Sequence, residues 1–347
     1  MVISRTPFRI SFFGGGTDYP GWYRKNGGSV LATTINKYCY INVRFLPPFF
    51  GHKYRVVYSK METRNTIDDI AHPSVREILR FLKISQGLEI HHDGDLPARS
   101  GLGSSSAFTV GLLHAFYALK GKIISKEELA KKSIYLEQKV LKETVGSQDQ
   151  VSASYGGLNL ISFHKNGQIL VKPVTISSKR LEELQDHLML FYTGIIRTAS
   201  DIAQTFVPNI SQKEKQLFAM NELVGQALAI LNSKKDINDF GKLLHETWSL
   251  KRSLSSSVSN SFIDDIYLAA LSKGAIGGKI IGAGGGGFLL LFVPPSRQAR
   301  VRKELSKLIH VPFKFERQGS QIIFFDQQED YSLKKGKIIL TSHEQKN

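Results

Sequence analysis

The stretch "LPARSGLGSSSAF", Leu96–Phe108, decides how this chain is read. Gly101, Gly103, Ser104, Ser105 and Ser106 crowd together directly ahead of the apolar run "AFTVGLLHAFYALKG". A turn needs one or two glycines, and a helix cap needs one serine. The surplus suits an anion. Glycine lets backbone approach a ligand closely, and a helix N-terminus offers unpaired N–H groups at its positive end. Serine hydroxyls add donors and metal-ligating oxygens. A loop running Gly101, Leu102, Gly103, Ser104, Ser105, Ser106 into a buried helix is therefore a phosphate cradle. It is not the G-x-x-x-x-G-K-[ST] form, which occurs nowhere in the chain. The structural alternative is a flexible loop with a serine cap.

Around this loop lie 347 residues, too many for one ordinary core, so about two domains are expected. Strand-like and helical segments are mixed without regular βα alternation, which argues for an α+β fold. The polar stretch "KPVTISSKRLEEL" puts the boundary near residues 172–186, with an N-terminal domain over 1–175 and a C-terminal domain over 186–340. Ser125 and Glu128 form a capping box at a helix start, and Asn166–Gly167 marks a hairpin turn. No apolar run has the length of a membrane span, no secretory signal is visible, and the single cysteine, Cys39, excludes an internal disulfide. A cytoplasmic protein without a membrane partner fits. The 46 basic residues against 30 acidic give +16, which suits nucleic acid, an acidic membrane or a polyanionic small molecule, or is simply a solvated surface. No basic-aromatic stripe points to nucleic acid.

Two further glycine loops stand out. "FRISFFGGGTDY", Phe8–Tyr19, ends a strand at Gly14–Gly16 and presents Thr17 and Asp18. Asp18 is either a turn former or an acceptor for substrate hydroxyls. "GAGGGG", Gly282–Gly287, satisfies G-x-G-x-x-G, but the strand-like "FLLLFV" follows it where a dinucleotide fold needs a helix. What remains is a hairpin turn with more glycine than a hairpin requires.

Three such loops in this order resemble the GHMP small-molecule kinases, and the resemblance covers nearly the whole chain. "PFRISFFGGGTDY", "PARSGLGSSSA" and "KIIGAGGGGF" are similar to the family's three motifs. Within the family, "SRTPFRISFFGGGTDYPGWY", "DGDLPARSGLGSSSAF" and "VGSQDQVSASYGGLN" most resemble the heptose 7-phosphate kinases. The resemblance implies an N-terminal domain like domain 2 of ribosomal protein S5, a ferredoxin-like C-terminal domain, and a site between them. It implies ATP and Mg²⁺, and phosphorylation of the anomeric hydroxyl of D-glycero-D-manno-heptose 7-phosphate to the 1,7-bisphosphate, on the way to nucleotide-activated heptose. Kinases for galactose, fucose or mevalonate are the nearer alternative. An RNA-binding module on the S5-like fold is the remote one.

Carried over by residue, the resemblance has Gly101 to Ser106 wrap the ATP phosphates, with Ser105 and Glu137 as metal ligands. Glu137 also flanks an apolar helical stripe, where a free carboxylate is costly. Asp149, in "GSQDQ", matches the catalytic base, and Arg9 the arginine that orients it. Gly16, Thr17 and Asp18 would hold sugar hydroxyls, and Gly284, Gly285 and Gly286 would line the substrate side. Arg197 suits a bidentate grip on a distal phosphate, with Arg24 and Lys25 competing for that role.

Overall fold

The computed structural model describes residues 1–196, 199–205 and 207–326. Its larger sheet is built on two long antiparallel strands, β1 (Val2–Phe13) and β2 (Gly28–Phe45), with helix α1 (Pro20–Asn26) between them. Strands β3 (Tyr54–Val57) and β4 (Met61–Arg64), helix α2 (Pro73–Phe81) and strand β5 (Leu88–Gly94) follow; β5 pairs with the second half of β2. The segment 96–103 leads from β5 into α3 (Ser104–Leu119), which is apolar on nearly every side and packs on β1 and β2. Ten of its residues are buried, so its N-terminus is held rigidly at the end of the sheet. Helix α4 (Lys126–Tyr135) starts on the expected capping box, Glu128 N–H donating to Ser125 Oγ at 3.1 Å. Helix α5 (Gln148–Tyr155) packs on α3, α4 and β1. The hairpin β6 (Asn159–Phe163) and β7 (Ile169–Pro173), turned at Asn166–Gly167, adds to the first half of β2.

Helix α6 (Ser178–Asp186) leads into a second, four-stranded antiparallel sheet. Its strands are β8 (Leu188–Tyr192), β9 (Gly277–Ile280), β10 (Phe288–Phe292) and β11 (Ile309–His310), in the order β11-β8-β10-β9. Between β8 and β9 run α7 (Ala199–Gln204), α8 (Glu214–Leu231), α9 (Asn238–Arg252) and α10 (Ser261–Ser272); α11 (Gln298–Glu304) follows β10. Helix α9 packs on β9 and α8 while also touching β1, and Phe240 on it meets Phe12 and Phe13 edge-on. This joins the two halves and buries β1 continuously from Phe8 to Phe13.

Two late strands cross the expected boundary between 1–175 and 186–340. Strands β12 (Phe315–Glu316) and β13 (Gln321–Phe325) leave the second half and return to the first sheet, β12 on β2 and β13 on the outer side of β1. Among the described residues no other strand pairs with that edge of β1, and the returning strand satisfies backbone groups of Val2–Arg5. The expected end at residue 340 lies outside the described residues.

Candidate active site

β1 carries Arg9 to the point where α3 and α5 begin. The guanidinium, 4% exposed, donates Nε–H to Asp149 Oδ1 and Nη2–H to Asp149 Oδ2, both at 2.7 Å, and Nη1–H to the Gly101 carbonyl at 2.6 Å. Asp149 does not cap α5. Ser147 holds the N-cap position, and Asp149 sits in the first turn with its carboxylate turned to Arg9. One forked interaction thus joins the expected base, the expected arginine and the glycine loop.

Asp18, fully buried, backs this pair. Its Oδ1 accepts from Gly16 N–H at 2.9 Å, its Oδ2 from Gln148 N–H at 3.2 Å, and its carbonyl from Ser147 N–H at 3.0 Å. It fastens the first glycine loop to the N-terminus of α5, where a carboxylate is favoured. Burial raises its pKa, and the nearby Asp149 adds to the rise. The Thr17 hydroxyl is used inside the same loop, donating to the Gly14 and Ser29 carbonyls. The Asp18 carboxylate and the Thr17 hydroxyl are thus both engaged by the fold's own backbone.

The glycine surplus now has a physical cause. Gly101, at φ +88°, lies so close to the third glycine loop that a Cβ would stand 2.3 Å from the Ile281 carbonyl oxygen. From the other side, a Cβ on Gly282 would meet Gly101 Cα at 2.6 Å, and one on Gly287 the Ser100 oxygen at 2.1 Å. The two loops pack backbone against backbone, which only glycine permits. Gly103, left-handed at φ +76°, opens α3 as its N-cap without a side-chain cap, leaving the first N–H groups of a 16-residue helix for an anion. Ser104 Oγ accepts from Arg99 N–H at 3.0 Å.

Gly284, Gly285 and Gly286 are buried, and the space beside them is filled by Val258, Ile202 and Ile195. Protein, rather than open cleft, lies against their α-carbons. Arg197 lies outside the described residues; Ile195, just before it, accepts from Gly287 N–H at 2.8 Å. Arg24 and Lys25 are exposed in the last turn of α1.

Glu137 is fully buried in a π-helical turn, Leu136–Val140, that continues α4. Such turns recur at functional sites. Its Oε2 accepts from Ser106 Oγ at 2.8 Å and from the Gln150 amide. Oε1 is buried without a geometrically formed hydrogen bond among the described residues, and the Thr109 hydroxyl, likewise unbonded, is near enough to lower the carboxyl's pKa. Burial, with Glu143 adding repulsion, pushes the carboxyl up to about 8. The serine that meets Glu137 is Ser106; Ser105, expected as a metal ligand, is the exposed hydroxyl one position before it. On α3 the two hydroxyls point about 100° apart, so only one can face α4. An orphaned hard oxygen beside a phosphate loop fits Mg²⁺, which takes one or two carboxylates and completes its shell with phosphates and water. Among the described residues no cluster of three or more metal-ligating side chains competes with it.

Sequence reading missed Lys251 and Lys279. Burial lowers Lys251 to about 7, Arg9 adding to the fall; it lowers Lys279 as well, with Lys251 and Arg9 contributing. A signal for Lys251 existed. It falls on the apolar stripe of α9, four residues after Thr247 and eight after Leu243, at helical spacing.

An uncapped helix N-terminus behind a glycine loop, a carboxylate held by a buried arginine and a buried glutamate with one unbonded oxygen are the parts a small-molecule kinase needs. The chain belongs to the GHMP kinases: residues 69–157 match the GHMP kinases N terminal domain and residues 224–310 the GHMP kinases C terminal region. It is 30% identical over 322 residues to the D-glycero-alpha-D-manno-heptose 7-phosphate kinase of Campylobacter jejuni, covering 88% of this chain and 93% of that one. It is 26% identical to the L-fucokinase/L-fucose-1-P guanylyltransferase of Bacteroides fragilis, covering 88% of this chain and 36% of that larger protein. The solved structure of a D-glycero-D-manno-heptose 1-phosphate kinase from Bacteroides thetaiotaomicron shares the fold, with a TM-score of 0.76 at 24% identity, over 94% of this chain and 100% of that one. The chain is thus a sugar kinase of this family, with ATP as phosphate donor. Among the described residues no helix is long and apolar enough to cross a membrane.

Proposed function

We propose that this kinase transfers the γ-phosphoryl group of ATP to the anomeric hydroxyl of D-glycero-D-manno-heptose 7-phosphate, giving the 1,7-bisphosphate for nucleotide-activated heptose. The observation that carries the reaction class is the Arg9–Asp149 fork closed onto the Gly101 carbonyl. It places a carboxylate of fixed orientation beside the loop that receives the phosphates. The similarity to the Campylobacter jejuni enzyme supports the sugar.

In this reading the N–H groups opening α3, with Gly101 to Ser106, hold the ATP phosphates. Asp149 accepts the proton of the anomeric hydroxyl as its oxygen forms the bond to the γ-phosphorus. The bond from that phosphorus to the β,γ-bridging oxygen breaks, and ADP leaves. Arg9 fixes Asp149 and faces the charge that develops on the phosphoryl group. Little covalent chemistry is asked of the protein; position and charge supply the rate. Mg²⁺, held by Glu137 and a serine of α3, would neutralise phosphate charge when bound. Gly16, Thr17 and Asp18 shape the sugar side, Asp18 by holding the α5 terminus that carries Asp149. The distal phosphate falls to Arg197, Arg24 or Lys25. ATP consumption measured across heptose 7-phosphate, free heptose, galactose, fucose and mevalonate tests the assignment. Preference for any of the last three replaces the substrate.

A further inference from the structure

Two lysines of the second half lie buried behind the site, and the reaction above leaves both unused. Lys279 on β9 donates to the Ser11 and Phe12 carbonyls of β1, at 3.0 and 2.9 Å. Lys251, in the last turn of α9, donates to the Gly282 carbonyl and, at 3.4 Å, to that of Ile280. Among the described residues, all these hydrogen bonds run to neutral carbonyls. Burying an ammonium in that way is costly, so a fold that keeps one gains something other than stability from it.

Lys251 stands in a particular place. The carbonyl it grips belongs to Gly282, whose α-carbon packs on Gly101. The Gly101 carbonyl accepts from Arg9, and Arg9 holds Asp149. Lys251 also shares one buried field with Arg9, Asp18 and Asp149.

We infer that Lys251 is a positioning residue of phosphoryl transfer: by holding the Gly282 carbonyl it sets the contact of the two glycine loops that seats Arg9 against Asp149. The inference rests on Asp149 being the base. Lys251→Met removes charge and donor at similar volume. Its melting temperature should hold or rise, since a buried unpaired ammonium gives way to an apolar chain. Its kcat should fall by ~10–100-fold, the scale of a small misplacement, with KM for ATP and sugar nearly unchanged. Lys251→Arg, which keeps charge and donors, should retain more activity. Should Lys251→Met fail to fold, Lys251→Gln keeps a donor without charge and should show a kcat loss in the same direction. Wild-type kcat in Lys251→Met or Lys251→Gln overturns the inference. So does a lowered melting temperature with unchanged kcat per folded enzyme, the mark of a merely structural lysine. Asp149→Asn measured alongside separates the two ideas. If Asp149→Asn keeps its kcat while Lys251→Met loses it, the base reading falls, and with it the seating of Arg9 against Asp149 as the route by which Lys251 acts.

Discussion

Asp149→Asn separates chemistry from architecture. The substitution keeps the shape and one acceptor oxygen but removes the charge that Arg9 meets at two 2.7 Å contacts. Stripping a buried arginine of its partner costs about 3–5 kcal/mol. Here the carboxylate side chain is one-quarter exposed, Asn still accepts one bond, and Arg9 keeps the Gly101 carbonyl. About 1–3 kcal/mol is therefore expected, which in a protein of this size lowers Tm by a few degrees. A fold stable by about 5–15 kcal/mol stays essentially fully folded at 25 °C after such a loss. Instability thus accounts for almost none of any change in kcat. A general base supplies ~10²–10⁴-fold, so kcat should fall by about that factor while ATP affinity holds. ADP release at saturating substrates, beside a calorimetric melt and an ATP titration, reads all three quantities. Retention of more than about a tenth of wild-type kcat refutes the base, and leaves Arg9 and the metal as the principal catalytic groups.

Three other outcomes follow from the same geometry. Without divalent cation, the Glu137 carboxyl held up to about 8 stays protonated in the fold at neutral pH, while the unfolded chain ionises it near the ordinary carboxylate value. Its contribution is complete in acid and is lost as pH rises through about 8. Glu137→Gln should therefore gain on wild type by about 3–5 kcal/mol from acid to alkaline pH in chelator, and should lose much of the response to Mg²⁺; parallel melting profiles for the two proteins count against both. Because Ser106 holds Glu137, Ser106→Ala should weaken the Mg²⁺ response more than Ser105→Ala, and the reverse order restores Ser105 as the metal-side serine. Arg197→Ala should raise KM for the sugar phosphate chiefly, and an unchanged KM moves the distal phosphate to Arg24 or Lys25.

Much of the site was legible in the sequence because it is built from local motifs. Glycine surplus and a serine run before an apolar helix announce themselves within a few residues, whereas the "GSQDQ" aspartate is read only through the family resemblance. What stayed hidden depends on long-range packing. That Gly101 and Gly282 touch follows from two loops meeting 181 positions apart. Lys251 resembles a helix-end lysine until the apolar stripe it belongs to is packed against the second sheet. Ser105 and Ser106 are equivalent in composition, and only the facing of α3 toward Glu137 tells them apart. The return of β12 and β13 has no local signature, since an edge strand reads alike whichever sheet it joins.

In the proposed reaction the enzyme phosphorylates a sugar that already carries a phosphate. The most direct test is kcat/KM for D-glycero-D-manno-heptose 7-phosphate against free heptose under saturating ATP and Mg²⁺, with ³¹P NMR locating the new ester. A much higher kcat/KM is expected for the 7-phosphate, with the new phosphate on the anomeric oxygen. Equal kcat/KM for the two sugars, or a new ester on any other oxygen, contradicts the proposed reaction.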